Sequence, residues 1–90
     1  MKRTDVKIRI RQFINTNFSL AGRQLGVTDN ESLFASGVVD SLGVLELVTF
    51  LENEFTIMVA DEDLLAENFE TIERMVAFVH AKETGQVLVA

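Results

Sequence analysis

Ser41 is the side chain in this sequence whose type and position could support chemistry. It follows Asp40, a residue type favoured at helix N-caps because its carboxylate accepts hydrogen bonds from the first free backbone amides. An apolar helical pattern begins directly after it, so the spacing predicts a helix that starts at Ser41 with the hydroxyl exposed at its positive end. A phosphate ester on that oxygen would be stabilised by the free amides of the first turn. The alternative is that Ser41 is an ordinary cap or first-turn residue, which is the commonest reason for Asp-Ser at a helix start.

The same serine does not fit a catalytic nucleophile. Residues 39–43 carry only half of the nucleophile-elbow pattern, because its first glycine is missing. That elbow also needs a strand leading into it, and no such strand is predicted here. His80 is the single histidine available as a base, and it lies among core-type residues of the last predicted helix. We interpret His80 as a surface or edge histidine and expect that the protein is not an enzyme.

Metal sites are also disfavoured by the composition. The chain has no cysteine, which excludes disulfides, thiolate catalysis and cysteine-based metal centres, and its single histidine excludes most histidine centres. A calcium loop starting at Asp61 would have Leu65, Ala66 and Ile72 where an EF-hand needs an oxygen ligand, a glycine and a bidentate glutamate. We therefore predict no metal site.

Charge is distributed unevenly along the chain, whose net charge is −6. The segment from Asp29 to Glu73 contains twelve carboxylates and no lysine or arginine. Such a surface repels phosphate backbones, which argues against nucleic-acid binding, and it would steer basic protein partners in a salt-dependent way. Simple solubility is the alternative explanation. The N-terminal segment is basic instead, with Lys2, Arg3, Lys7, Arg9 and Arg11.

The 90 residues suffice for one small domain, predicted over residues 1–85 with a C-terminal tail at 86–90. The chain lacks proline and carries apolar residues at helical spacing, which favours a helical protein. We predict main helices over about Asp5–Asn17, Ser41–Phe55 and Thr71–Glu83, a short helical turn at Asp61–Ala66 and a long loop at Phe18–Asp40. No segment approaches the roughly 20 apolar residues of a membrane span, and the N-terminus shows no signal-peptide core, so we expect a cytoplasmic protein.

The second predicted helix presents two different faces at ~100° per residue. One face is an apolar stripe that we expect to be buried, made of Val44, Leu47, Val48, Leu51 and Phe55. The opposite face combines leucines with polar and acidic residues, namely Leu42, Leu45, Glu46, Thr49, Glu52 and Asn53. Apolar residues rimmed by charge are typical of a docking surface, although scattered surface leucines are also ordinary. Gly43, in the first turn, is expected to leave the helix end sterically open beside Ser41; the alternative is a first-turn glycine without a function.

Several runs along the chain resemble the acyl and peptidyl carrier protein family. The run from Leu33 to Leu42 resembles the family's attachment-site region, and Asp40-Ser41-Leu42 matches its Asp-Ser-Leu core. Three later runs resemble its second helix, the start of its short third helix and the entry to its fourth: Leu45-Glu46-Leu47-Val48, Val59-Ala60-Asp61-Glu62 and Asn68-Phe69-Glu70-Thr71-Ile72. The resemblance covers about residues 5–83, and its order, spacing and length are far more specific than Asp-Ser-Leu alone.

The resemblance implies an all-α, four-helix bundle of acyl-carrier type with three main helices, one short helix and a long first loop. It implies a 4'-phosphopantetheine arm, moved from coenzyme A onto Ser41 by a phosphopantetheinyl transferase. The arm's thiol would hold an acyl or aminoacyl group as a thioester and shuttle it between enzymes. Asp40 and Leu42 are then the motif neighbours of the attachment site. The implied contacts for partner enzymes are Leu42, Leu45, Glu46, Thr49 and Glu52.

Two departures from the family pattern indicate a subfamily. Gly43 replaces an acidic residue that is common there in fatty-acid-synthesis carriers, and the basic first helix is atypical of those carriers. The chain looks closer to discrete, stand-alone carriers loaded by an AMP-forming acyl or aminoacyl ligase, D-alanyl carriers included. Such a carrier would be a monomer and would deliver its cargo to a downstream acyltransferase or synthase. The alternative, from a different class, is an unmodified helical adaptor that keeps the carrier fold.

Overall fold

The computed structural model describes residues 2–18 and 28–83, and within them the protein is all-α. The elements in chain order are α1 (Arg3–Asn17), α2 (Ser41–Phe55), a 3₁₀ turn (Asp61–Asp63), α3 (Ala66–Phe69) and α4 (Ile72–Glu83). The prediction of three main helices and one short helix is confirmed, and α2 has the predicted bounds. No helix in the described ranges is long and apolar enough to cross a bilayer. The predicted tail at 86–90 and residues 19–27 of the predicted loop lie outside the described residues.

The short helical segment differs from the prediction. The sequence predicts one turn over Asp61–Ala66, whereas the structure has a 3₁₀ turn and then a separate helix, α3, that begins at Ala66. The cause is a set of contacts at Asp63. Its carboxylate accepts a hydrogen bond from the Ala60 N–H at 3.0 Å and pairs with Lys82 Nζ of α4 at 2.6 Å. These contacts hold the 3₁₀ turn against α4, so the chain starts a new helix rather than continuing the first.

The core lies between α1, α2 and α4. Helix α1 buries Val6, Ile10 and Ile14, which share one face because they are four residues apart. Helix α2 buries Leu47, Leu51 and Phe55, with Val44 and Val48 partly buried beside them. Helix α4 contributes Ile72, Met75, Val76, Phe78, Val79 and Ala81. Full burial of one large apolar side chain stabilises the fold by roughly 1.5–3 kcal/mol. The core therefore fixes the rotation of α2 and leaves its opposite face open to solvent.

The loop from residue 28 to residue 40 is anchored to the core before it enters α2. Leu33 is fully buried; its N–H donates to the Glu70 carbonyl at 2.7 Å, and its carbonyl accepts from the Val39 N–H at 3.0 Å. Gly37 has a φ of +78°, in the left-handed region that favours glycine, and reverses the chain between these anchors. The start of α2 is thus held in place by tertiary contacts as well as by its own cap.

Candidate functional site

Ser41 is the first residue of α2, and its side chain is exposed to solvent. Asp40 precedes it in an extended conformation, and its Oδ1 accepts a hydrogen bond from the Gly43 N–H at 2.8 Å. The predicted N-cap role of Asp40 is therefore confirmed. None of the hydrogen bonds among the described residues engages the Ser41 hydroxyl, so its oxygen is available at a helix N-terminus, where the helix dipole favours negative charge.

An apolar groove opens beside Ser41. Its volume is about 520 Å³, and its walls are made mostly of apolar side chains from three parts of the fold: Phe34 and Val39 of the loop, Val44 of α2 and Ala66 of α3. An exposed hydroxyl at a helix N-terminus can carry a phosphodiester, and the groove beside it gives the attached chain a surface to lie along. The residues at this position therefore fit a phosphopantetheine group attached to Ser41.

The outer face of α2 carries most of the sequence-predicted partner contacts. Leu42 and Leu45 are 71% and 59% exposed, which is unusual for leucine and places two apolar side chains in solvent near Ser41. Glu46 and Thr49 are also exposed on this helix. The Thr49 hydroxyl donates to the Leu45 carbonyl at 3.0 Å, so its hydrogen is engaged within the helix. The structure thus brings these four residues together on the face that begins at Ser41.

Glu52 differs from the other four residues. Its side chain is half-buried, and its Oε2 accepts a hydrogen bond from the Val59 N–H at 3.0 Å. That contact ties the end of α2 to the segment that leads into the 3₁₀ turn. Glu52 therefore has a structural function in the fold, which the helical spacing alone does not reveal.

Gly43 is buried, so the space that its missing side chain leaves is filled rather than open, while Ser41 beside it is exposed. A Cβ at this position would lie 2.8 Å from Cε1 of Phe18 and 3.1 Å from Cγ1 of Val39. Both distances are shorter than ordinary van der Waals contact, so these side chains occupy the space that the glycine leaves. The helical spacing does not indicate that Phe18 contacts this region. The signal for such a contact is Gly43 itself, because a glycine that is not needed for a left-handed backbone indicates that a neighbouring group occupies the space of its side chain.

The other candidate groups lie apart from this site. His80 is half-buried on α4, as expected of an edge histidine. Within residues 2–18 and 28–83, no three histidine, cysteine, aspartate or glutamate side chains cluster in a way that could hold a metal ion. The region around Ser41 is therefore the candidate functional site among the described residues.

Comparison with known proteins identifies a matching family and related proteins. A family model described as the phosphopantetheine attachment site matches residues 9–79. A probable acyl carrier protein, PigG, from Serratia sp. is 35% identical over 66 residues, which cover 73% of this chain and 75% of the relative. A D-alanyl carrier protein from Streptococcus uberis is 43% identical over 47 residues, which cover 52% of this chain and 60% of that relative.

Proposed function

This chain belongs to the phosphopantetheine-bearing carrier protein family, and on that premise we propose that Ser41 is its attachment residue. Membership confirms the predicted cofactor, 4'-phosphopantetheine, and the prediction of a carrier that is not itself an enzyme. The observation that supports Ser41 is its exposed, unengaged hydroxyl at the capped start of α2, within the matched range and beside an apolar groove.

The proposed function is to hold an acyl or aminoacyl group and to shuttle it between partner enzymes. When attached, phosphopantetheine supplies a terminal thiol that can carry such a group as a thioester. The residues of the protein itself hold the start of α2 in place and offer contacts to partner enzymes. Asp40 satisfies the first-turn amide of Gly43 and so fixes the start of α2. Leu42 and Leu45 offer apolar contacts, and Glu46 offers a charged rim, to the transferase and to later enzymes.

Intact-mass measurement tests this proposal directly. The full chain is incubated with coenzyme A, magnesium and a broad-specificity phosphopantetheinyl transferase. We expect the mass to rise by one phosphopantetheine unit, and we expect no rise in Ser41→Ala. Ser36→Ala is the matched control, because Ser36 is an exposed loop serine whose hydroxyl donates to the Leu33 carbonyl at 3.3 Å; this variant should be modified normally. An unmodified, well-folded wild-type chain would favour the unmodified adaptor.

The chemistry of the relatives guides the proposal for the cargo. One relative is a probable acyl carrier and the other is a D-alanyl carrier, so we propose an acyl or aminoacyl group loaded by an AMP-forming ligase. The phosphopantetheine-loaded protein from the mass experiment is incubated with ATP and AMP-forming ligases that activate fatty acids or amino acids. A second mass increase is the expected result. Efficient loading by a fatty-acid-synthesis transferase, with none by these ligases, would contradict this part of the proposal.

A further inference from the structure

The contact between Phe18 and Gly43 joins the end of α1 to the first turn of α2. Phe18 follows the last residue of α1, and its N–H donates to the Ile14 carbonyl at 2.8 Å, so its backbone is fixed by that helix. Its ring occupies the space where a side chain at position 43 would lie, with Cε1 only 2.8 Å from an ideal Cβ. The position of the ring therefore depends on the glycine, because a Cβ at position 43 would fit only if the ring moved.

A row of aromatic rings holds Phe18 in this place. Phe18 meets Phe13 edge to face, with ring centroids 5.9 Å apart. Phe13 in turn stacks on Phe50 of α2, with centroids 4.1 Å apart and ring planes 14° from parallel. Aromatic contacts of this kind add to the stability that burial provides. The row connects α1 to both the middle and the beginning of α2.

We propose that Phe18 is a positioning residue for Ser41, acting through Gly43. This inference rests on the proposed function, because it assigns to Phe18 the task of fixing the helix turn that presents the attachment serine to modifying enzymes. Ser41 lies two residues before Gly43, in the turn closed by the hydrogen bond from the Gly43 N–H to Asp40. A ring packed on that turn at Gly43 limits the movement of the turn.

Phe18 also shapes the surface next to the serine. Together with Leu42, Gly43 and Glu46 it lines a cleft between the end of α1 and the start of α2. An enzyme that engages Ser41 and Leu42 therefore meets the side chain of Phe18 on one side. Rigid presentation of a reacting group has large kinetic effects, because a misplacement of about 1 Å can cost on the order of 10²-fold in rate.

The kinetics of Ser41 modification test the inference. With coenzyme A and a broad-specificity phosphopantetheinyl transferase as the probe, we expect Phe18→Ala to lower kcat/KM about tenfold. The loss should lie mainly in kcat, because Ser41 adopts the reactive geometry less often. Phe18→Leu, which keeps an apolar side chain on Gly43, should recover most of the rate. Ile57→Ala is the matched control, since Ile57 is another partly buried residue packed on the core.

The Gly43→Ala substitution, made in the wild-type and in the Phe18→Ala background, tests whether Phe18 acts through its contact with Gly43. Gly43→Ala should slow the modification of Ser41 and lower the melting temperature, because the new Cβ opposes the ring of Phe18. In the Phe18→Ala background, the same Gly43→Ala substitution should lower the melting temperature less, since the ring is gone and the closest remaining side-chain atom is Val39 Cγ1 at 3.1 Å. The two substitutions are therefore expected to be non-additive, as residues in direct contact are.

The possible results are distinct from those that test the proposed function. If the wild-type chain is not modified, the proposed function itself fails. If the wild-type chain is modified and Phe18→Ala reacts at the wild-type rate, or loses no more rate than Ile57→Ala, then Ser41 is the attachment residue but Phe18 does not position it. Additive effects of the Gly43 and Phe18 substitutions on melting temperature would equally overturn the inference.

Discussion

Among the residues that the structure describes, Asp63 is the charged residue that is buried, with only 5% of its surface exposed. The hydrogen bond from Lys82 holds the pKa of the Asp63 carboxyl below its ordinary value of 3.8; burial opposes this shift, and the Ala60 N–H and the Lys82 charge add to it. Because the native pKa is lowered, the unfolded state binds the proton more readily in acid. The resulting stability is present above the ordinary pKa and is lost as pH falls through the native one.

We expect Asp63→Asn to destabilise the protein at neutral pH by about 1–3 kcal/mol, the cost of leaving Lys82 without its charged partner. The difference from wild type should begin to shrink as pH falls below about 4, because the unfolded wild-type chain then binds a proton at Asp63. It should be smallest below the lowered native pKa, where the folded carboxyl is neutral too. Urea denaturation across this pH range measures both effects. Asp61→Asn, an exposed neighbour in the same 3₁₀ turn, is the control. A difference from wild type that did not change with pH would contradict this account of Asp63.

At the scale of elements, the basic residues of α1 act as a clamp. Lys7 pairs with Asp29 at 2.8 Å and with Glu73 at 3.4 Å, and Arg11 also pairs with Asp29. The hydrogen bond from Lys7 is the largest cause of the lowered pKa of the Asp29 carboxyl, and Arg11 adds to it. The same hydrogen bond raises the pKa of Lys7. The Asp29 carbonyl accepts the Glu73 N–H at 2.9 Å. One loop residue therefore connects α1 to the start of α4.

Asp29→Asn should loosen this connection, because it leaves two cations of α1 without their shared carboxylate. We expect faster amide hydrogen exchange over residues 30–33 and a lower midpoint of urea unfolding. The difference in midpoint should decrease with salt, since the Debye length falls from about 10 Å at 0.1 M to about 3 Å at 1 M. Glu31→Gln, at an exposed position in the same loop, should change neither property. A midpoint difference that persists in high salt would argue against an electrostatic clamp.

Local features of these elements could be predicted from the sequence, whereas contacts between distant residues could not. The start of α2 depends on Asp40 and the residues that follow it, and its buried stripe depends on spacing within one helix. Both features could therefore be predicted from the sequence. The Phe18–Gly43 contact and the Asp63–Lys82 pair join segments far apart in the chain, and periodicity carries no information about such pairings. The division into a 3₁₀ turn and α3 was missed for the same reason, since Lys82 fixes it from another helix.

At the scale of the whole molecule, folding pairs four of the fourteen acidic residues with cations among the described residues. Asp29, Glu54 and Glu73 are paired with cations of α1, and Asp63 is paired with Lys82. No ion pair within the described residues engages a second group of exposed carboxylates, namely Glu46, Asp61, Glu62 and Glu67. Ala66, which precedes Glu67, lines the groove beside Ser41. The exposed carboxylates that no described cation pairs with therefore include Glu46 and Glu67, near the proposed attachment site.

This charge distribution predicts how partners approach the site. Glu46→Lys should lower kcat/KM for Ser41 modification by the broad-specificity transferase about fivefold at low salt, mainly through KM, because a charge at the edge of an interface affects encounter more than chemistry. The effect should diminish as salt screens the surface. Asp5→Lys changes the net charge equally, at an exposed position on α1, and should leave the rate near wild type. Equal losses in both variants would assign the attraction to net charge alone, and a loss unchanged by salt would exclude electrostatic docking through Glu46.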